Sequence, residues 1–126
     1  MDYRIVQHTL QFNKAAKTSR NVFTERHIRY VLFTDNGVTG IGEAAPLHLL
    51  SIDDVDDYDA RLDRVCRAIC DFPEPLELDL SKDIDFNFHS FPSIRFGIET
   101  ALLDLKNGGK QLIFDTSFVH GKPIPI

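Results

Sequence analysis

Cysteine is scarce in this sequence: there are two, Cys66 and Cys70, in 126 residues. The apolar pattern around them is helical, and two cysteines four positions apart on one helix are poorly placed for a disulfide. No other cysteine and no nearby histidine completes a zinc-binding set around them. We therefore expect two reduced thiols that pack as small apolar side chains.

The sequence also lacks a cluster of basic residues and a long uncharged apolar segment. Lys and Arg total 14 against 19 Asp and Glu, which gives a formal net charge of −5. This charge balance excludes nucleic acid as a partner, because phosphate contacts need concentrated Lys and Arg. The first four residues have neither the basic start nor the apolar block of a signal peptide, so we expect a cytoplasmic protein without a membrane partner.

Recognisable catalytic and metal-binding sets are missing as well. The five histidines are scattered without ligand spacing, and no serine lies in a Gly-x-Ser-x-Gly frame. The acidic run at residues 53–57 lacks the central glycine and the terminal glutamate of a calcium loop. We therefore expect no catalytic residue and no metal site within this chain.

The composition, with 43% hydrophobic residues, is sufficient for the core of one domain. Residues 3–12 alternate and predict a half-buried strand with Val6, Leu10 and Phe12 on its apolar side. Residues 13–21 show no periodicity and predict a mobile loop. Residues 22–34 and 38–44 predict two further strands, joined by a hairpin whose Asn and Gly tolerate positive φ. The result is a three-stranded antiparallel meander.

The rest of the chain predicts helices that cover this sheet. Ser51 and Asp54 resemble a capping box, and residues 52–71 carry apolar side chains at helical spacing. Residues 76–91 alternate weakly and predict an irregular surface segment. A second helix is expected to begin at Pro92 and to end before Gly108 and Gly109. The predicted fold class is therefore α+β, with the meander covered by helices.

Two apolar segments predict contact with another surface. Residues 40–51 begin as a strand whose two glycines allow another backbone to approach closely, and they continue into a loop rich in leucine. Exposing such a loop to water costs roughly 25 cal/mol per Å² of apolar surface. Residues 112–114 and 118–119 are apolar and strand-like, ahead of a Pro-Ile-Pro-Ile ending. We expect these segments to contact a further domain, or to cause self-association when that domain is absent.

Three motifs combine with this order of elements. They are residues 17–20 (Lys-Thr-Ser-Arg), residues 40–47 (Gly-Ile-Gly-Glu-Ala-Ala-Pro-Leu) and residues 92–105 (Pro-Ser-Ile-Arg-Phe-Gly-Ile-Glu-Thr-Ala-Leu-Leu-Asp-Leu). Together they resemble the N-terminal capping domain of the enolase superfamily, in its muconate-cycloisomerase-like branch. Within that branch the o-succinylbenzoate synthase family of menaquinone biosynthesis is the most similar, and the resemblance covers nearly the whole chain.

The resemblance implies a capping domain at residues 1–110 and a linker at residues 111–126. The linker would lead to a C-terminal (β/α)₇β barrel, the partner domain, which this chain does not include. In the superfamily the barrel carries lysine acid/base groups and the acidic ligands of one Mg²⁺. The implied parent enzyme is a magnesium-dependent dehydratase, a carbon–oxygen lyase. It removes the proton α to a carboxylate and then expels the β-hydroxyl, and the capping domain alone is expected to be inactive.

The resemblance also implies six substrate-binding residues in two loops. Three match the mobile loop that folds over a small carboxylate substrate, where a cation can meet the carboxylate: Thr18, Ser19 and Arg20. Three match the second capping loop, whose apolar side chains shape the pocket: Pro46, Leu47 and Leu50.

One departure from the family pattern keeps other functions open. Many relatives read Pro-Leu-Pro-Gly-Phe-Ser where this chain has Pro-Leu-His-Leu-Leu-Ser at residues 46–51. Because the capping loops help to set specificity, the parent enzyme could instead be a dipeptide epimerase or a muconate-type cycloisomerase. A third interpretation is a stand-alone, non-catalytic interaction module that uses the apolar patch at Leu47–Leu50.

Overall fold

The computed structural model describes residues 1–125 and contains one three-stranded antiparallel sheet. Its strands are β1 (Asp2–Lys17), β2 (Val22–Asp35) and β3 (Val38–Ala44), in the order β1-β2-β3. Asn36 and Gly37, with φ of 48° and 80°, form the predicted hairpin between β2 and β3. The α+β class and the antiparallel meander are confirmed.

β1 is longer than the alternating pattern predicted. Residues 13–17, which were expected in a mobile loop, belong to this strand, and Lys17 pairs with Val22 of β2. The register shifts between Gln11 and Ala16, where the apolar alternation also stops. Backbone pairing with β2 continues beyond that irregularity because it does not need apolar side chains. The connection between the strands therefore shrinks to residues 18–21.

The side of β1 that contacts the core was also predicted wrongly. Val6, Leu10 and Phe12 are exposed, whereas Tyr3 and Ile5 pack against the core. The helices all lie against the opposite sheet face, which carries Val31 and Phe33 of β2. Period-two alternation shows that a strand has two faces, but it does not tell which face the helices cover.

Three α-helices follow the sheet: α1 (Tyr58–Cys70), α2 (Leu80–Asp83) and α3 (Pro92–Lys106). A 3₁₀ turn at Phe88–Ser90 precedes α3. The helix predicted at residues 52–71 begins six residues late, at Tyr58. The side chains of Asp53 and Asp54, which were expected in its first turn, bind Ser93 and His48 instead. α3 has the predicted boundaries and buries the predicted stripe of five side chains: Ile94, Ile98, Ala101, Leu102 and Leu105.

Residues 76–91 are not an irregular surface segment. Leu80, Ile84 and Phe88 are buried in the core at intervals of four residues, followed by Phe91. Phe86 meets the rings of Phe88 and Phe91 at centroid distances of 5.0 and 5.2 Å. The many aspartates hid this pattern, since they occupy the positions between the buried side chains and point to solvent.

The tail after α3 is irregular rather than strand-like. Residues 112–114 and 118–119 lie outside any helix or strand, and Phe114, Phe118 and Val119 are exposed. The predicted linker at residues 111–126 ends at Ile126, which lies outside the described residues. Within residues 1–125, none of the helices combines the length and apolar character needed to cross a membrane.

The two cysteines are free thiols on α1, as the sequence predicted. Cys66 is buried, and burial raises the pKa of its thiol. Burial also raises the pKa of Cys70 to about 11. Both side chains therefore stay protonated and unreactive near neutral pH.

β3 and α3 approach each other closely through glycine, as the sequence predicted. A Cβ at Gly42 would overlap the backbone oxygen of Gly97, and a Cβ at Gly40 would overlap that of Ala101. A Cβ at Gly97 would in turn lie 3.0 Å from Ala44. The helix backbone therefore rests directly on the strand, which leaves no room for side chains between them.

Gly42→Ala is expected to lower the free energy of unfolding by about 3 kcal/mol, since the added methyl group would force β3 and α3 apart. Urea denaturation followed by circular dichroism measures the change. Gly37→Asn is the matched control, because Gly37 has open space around it and a φ of 80° that Asn tolerates. Equal losses in the two variants would contradict this account of the packing.

Candidate functional site

The connection between β1 and β2 is a tight turn organised by Thr18. The Thr18 backbone N–H donates to the Asn21 carbonyl at 2.8 Å, and its hydroxyl oxygen accepts from the Asn21 N–H at 3.0 Å. Ser19 and Arg20 lie at the tip, and both are exposed together with Thr18. The turn thus presents the hydroxyls of Thr18 and Ser19 and the guanidinium of Arg20 at the end of the sheet.

The loop after β3 is closed by a second set of local hydrogen bonds. The Leu47 carbonyl accepts from the N–H groups of Leu50 and Ser51, and the Ser51 hydroxyl accepts from the Leu47 N–H at 2.7 Å. Ser51 was expected to cap a helix, and that prediction is wrong. Its side chain is occupied by the loop itself, with α1 beginning only at Tyr58.

The expected capping partner, Asp54, holds the same loop. One carboxylate oxygen of Asp54 lies 2.8 Å from His48 Nδ1 and accepts from the Leu49 N–H at 3.3 Å. Leu49 has a φ of 64°, a conformation that an apolar residue rarely adopts. The loop backbone therefore has a defined shape, which is fixed by its own polar groups.

Leu49 and Leu50 of this loop are exposed, as the sequence predicted, whereas Leu47, which was expected in the same patch, is only partly exposed. Leu49 and Leu50 are 67% and 47% exposed, and Ile52 is 73% exposed. Pro46 is buried and Leu47 is half-buried. The loop therefore presents an apolar surface on a backbone whose hydrogen bonds are made within the chain.

A buried carboxylate that the sequence did not reveal connects this loop to α3. Asp53 is 1% exposed, and one of its oxygens accepts from the Ser93 backbone N–H at 2.8 Å and from the Ser93 hydroxyl. Ser93 lies in the first turn of α3, whose preceding residue, Phe91, has no polar side chain to cap it. Asp53 supplies that cap from another part of the chain, where the helix dipole favours negative charge.

Tyr58 completes the cluster around Ser93. Its hydroxyl lies 2.6 Å from the Ser93 hydroxyl and must donate, because the single Ser93 proton is given to Asp53. Burial raises the pKa of Tyr58 to about 12. The Arg29 guanidinium lies 5.0 Å from the centre of the Tyr58 ring and also pairs with Asp59. The start of α1, β2 and α3 are thus held together beside the loop.

A cleft of about 340 Å³ lies between the first half of β2 and the loop after β3. Of the six residues predicted to bind substrate, Pro46 and Leu47 line it. Thr18, Ser19, Arg20 and Leu50 are not among its lining residues. The cleft also contains Arg26, which sequence reasoning missed because a single arginine on a strand carries no pattern.

Among residues 1–125 there is no group of three or more His, Cys, Asp or Glu side chains placed to hold a metal ion. The carboxylates beside the two loops are engaged with Ser93, His48 and other partners. Residues 1–125 therefore do not supply the ligand set of a magnesium site.

No family model matches the chain. The chain is 31% identical over 142 residues to an o-succinylbenzoate synthase of Desulfotalea psychrophila, covering 93% of this chain and 38% of the relative. The crystal structure of MenC from the same organism superposes with a TM-score of 0.76 and 25% identity, over 100% of this chain and 40% of that one. The chain has the fold of an enolase-superfamily capping domain.

Two further structures share the fold of this capping domain. An o-succinylbenzoate synthase from Thermosynechococcus elongatus, complexed with magnesium in its active site, gives a TM-score of 0.58 at 19% identity. A mandelate racemase/muconate lactonizing protein from Herpetosiphon aurantiacus gives 0.59 at 18%. Each match covers 83% of this chain and 30% of the other. The chain thus spans about two fifths of the length of the two Desulfotalea psychrophila proteins.

Asp53→Ala is expected to lower the free energy of unfolding by about 2 kcal/mol, because the Ser93 N–H and hydroxyl lose a charged acceptor. Hydrogen exchange at the Leu47, Leu50 and Ser51 amides should accelerate in the same variant. Asp56→Ala is the control, since it removes an exposed carboxylate of the same acidic run. The anchoring role is refuted if both variants behave alike.

Tyr58 should make stability fall between pH 10 and pH 12. Its folded-state pKa of about 12 exceeds the ordinary value of 10.0, so its contribution is complete below pH 10 and disappears as the pH rises to 12. A pKa difference of two units between the folded and the unfolded chain corresponds to about 3 kcal/mol of unfolding free energy. The difference in unfolding free energy between the unaltered chain and Tyr58→Phe, measured from pH 9 to pH 12, should shrink across this window. A constant difference would contradict the assignment.

Proposed function

We propose that this chain is the capping domain of an o-succinylbenzoate synthase and is inactive without the remainder of that enzyme. The observation that carries the proposal is the 31% identity to such an enzyme across 93% of this chain, together with the shared fold. In this proposal residues 1–110 form the capping domain and residues 111–126 lead towards a barrel.

The turn at residues 18–20 would close over one side of the substrate. Arg20 stands exposed at its tip, where a guanidinium can pair with a substrate carboxylate. The hydroxyl groups of Thr18 and Ser19 are the neighbouring polar groups, and the Thr18 hydroxyl already shapes the turn. This arrangement supports a role in orienting a negatively charged substrate.

The loop at residues 46–51 would form the apolar wall of the same pocket. Leu50 is 47% exposed on a backbone that is closed by the Leu47 and Ser51 hydrogen bonds. Pro46 and Leu47 sit deeper and give this wall a fixed base. When such a surface is covered, water is excluded from the substrate, which strengthens charged interactions within the pocket.

The acid/base groups and the magnesium ion would come from the remainder of the enzyme. The Thermosynechococcus elongatus relative is complexed with magnesium in its active site, whereas residues 1–125 do not fit such an ion. Such an ion, held by residues outside this chain, would supply electrostatic stabilisation of negative charge on the substrate. The part of this chain is limited to binding, orienting and shielding.

A chimera tests the proposal. Residues 1–125 replace the matching segment of the Desulfotalea psychrophila enzyme, and formation of o-succinylbenzoate is followed in the presence of magnesium. We expect turnover by the chimera and none by the 126-residue chain. Within the chimera, Arg20→Gln should raise KM about tenfold with a smaller change in kcat, since it removes one charge-assisted contact to substrate.

Lys14→Gln is the control for this substitution, because it removes one exposed positive charge from β1. Turnover by the 126-residue chain alone would overturn the proposal. So would a folded chimera that is inactive on this substrate but active on a dipeptide or a muconate. Equal KM changes in the Arg20 and Lys14 variants would remove Arg20 from the site.

A further inference from the structure

The helices leave one face of the sheet uncovered. They lie against the face that carries Val31 and Phe33, so the side chains that alternate with these two point away from the core. This second side of the sheet, the outer face, consists of the even-numbered residues 2–10 and 26–34 and the odd-numbered residues 39–43. The hydroxyls of Thr34 and Thr39, which lie 2.8 Å apart, show that β2 and β3 share it.

The outer face carries six apolar side chains: Val6, Leu10, Ile28, Tyr30, Leu32 and Ile41. Val6 and Leu10, which the alternation placed in the core, are 37% and 43% exposed. Tyr30, Leu32 and Ile41 are half-buried. Ile28 is buried although it does not belong to the core under the helices. The sheet therefore has a second apolar surface that the core does not use.

The charges on the outer face balance, unlike those of the whole chain. Arg4 and Arg26 lie on this face together with Asp2 and Glu43. The chain as a whole has a formal net charge of −5. Two copies that meet through acidic surfaces repel each other, whereas a neutral apolar face does not add to that repulsion. The outer face is therefore suited to a second copy of this chain.

Arg4 and Glu43 make the outer face complementary to itself. Arg4 lies on β1 in the row of Leu32 and Ile41, and Glu43 lies on β3 one row further along, beside Tyr30. The two charged residues are separated by two strand spacings, about 10 Å. Neither takes part in an ion pair within residues 1–125. Each is thus available to an opposite charge on another molecule.

A two-fold axis that runs along the strands, between two stacked outer faces, brings these charges together. Such an axis places β1 of one copy over β3 of the other, so Arg4 lies over Ile41 and within reach of Glu43 of the second copy. Because the axis is two-fold, this ion pair forms twice. The same rotation places Asp2 over Thr39, so like charges do not meet. Stacked sheets lie about 10 Å apart, a space that apolar side chains fill from both sides.

The outer face is small, which sets the strength of the association. Its side-chain rows are about 6.8 Å apart and its three strands about 4.8 Å apart, which gives roughly 27 by 10 Å between the outermost Cα positions. Two such faces bury less surface than a permanent dimer needs, and interfaces of this size are typical of weak complexes. A dimer formed in this way is reversible.

We propose that two copies of this chain associate reversibly through their outer faces, with Arg4 of each copy paired with Glu43 of the other. None of the six residues assigned to substrate lies on this face, so the inference is independent of the proposed function. It also differs from self-association through the exposed leucines of the loop after β3 or through residues 112–119.

Sedimentation equilibrium of the 126-residue chain, from micromolar to millimolar concentration, tests this inference. We expect a monomer–dimer equilibrium with a dissociation constant of roughly 100 µM, as for other weak interfaces. In nuclear magnetic resonance spectra, the amide signals of Val6, Leu32 and Ile41 should shift with concentration. Shifts confined to Leu49–Ser51 or to residues 112–119 would overturn the inference. A monomer at every concentration would also overturn it and would leave the outer face to the remainder of the parent enzyme.

Reversal of the two charges tests the arrangement of the copies. Arg4→Glu and Glu43→Arg should each weaken dimerisation about tenfold, since each variant brings like charges together at both pairs. The double variant exchanges the charges and should regain most of the affinity, a recovery that a folding defect cannot produce. Arg64→Glu, on the exposed surface of α1, is the matched control because it changes the net charge by the same amount as Arg4→Glu. Equal weakening by Arg64→Glu, or no recovery in the double variant, would refute the pairing of Arg4 with Glu43.

Discussion

Direct backbone contact between β3 and α3 determines where the other elements can lie. Gly40 and Gly42 meet the helix backbone at Ala101 and Gly97 with no space for a Cβ. Because backbone atoms cannot adapt as side chains do, α3 has one position on the sheet. That position places Ser93 against the carboxylate of Asp53 and so fixes the loop that follows β3. The glycine contacts between β3 and α3, two elements distant in sequence, thereby orient the apolar surface of the loop that follows β3.

The acidic run before α1 shows how one charge pattern can serve several purposes. Asp53 is buried and caps α3, whereas Asp54 holds His48 and the Leu49 N–H. Asp57 pairs with Arg61 in the first turn of α1. Only the last of these stabilises the helix that the run was expected to begin. Asp53 instead caps α3 and Asp54 holds the loop after β3, which explains why α1 starts late and why Leu49 keeps an unusual backbone conformation.

The loop combines a fixed backbone with side chains that remain available to a partner. Its Leu47 and Ser51 hydrogen bonds satisfy polar groups internally, so Leu50 can remain exposed without loss of local structure. An apolar surface held in this way needs little ordering when it is covered, which lowers the entropic cost of association. This property supports the proposal that the loop acts against a further domain and a bound substrate.

The sequence by itself determined the meander, the hairpin at Asn36 and Gly37, the boundaries of α3 and the exposed leucines. Each of these depends on local chemistry: strand alternation, positive φ, helix spacing or a run of apolar residues in a loop. Only the tertiary structure decided which face of β1 is buried and where α1 begins. It also decided that Asp53 caps α3 and that Arg26 lines the cleft. These features depend on partners distant in sequence, such as Ser93 for Asp53 and Ala45 for Arg26. A local pattern cannot encode them, because the energy of a buried charge is set by the groups that the fold brings to it.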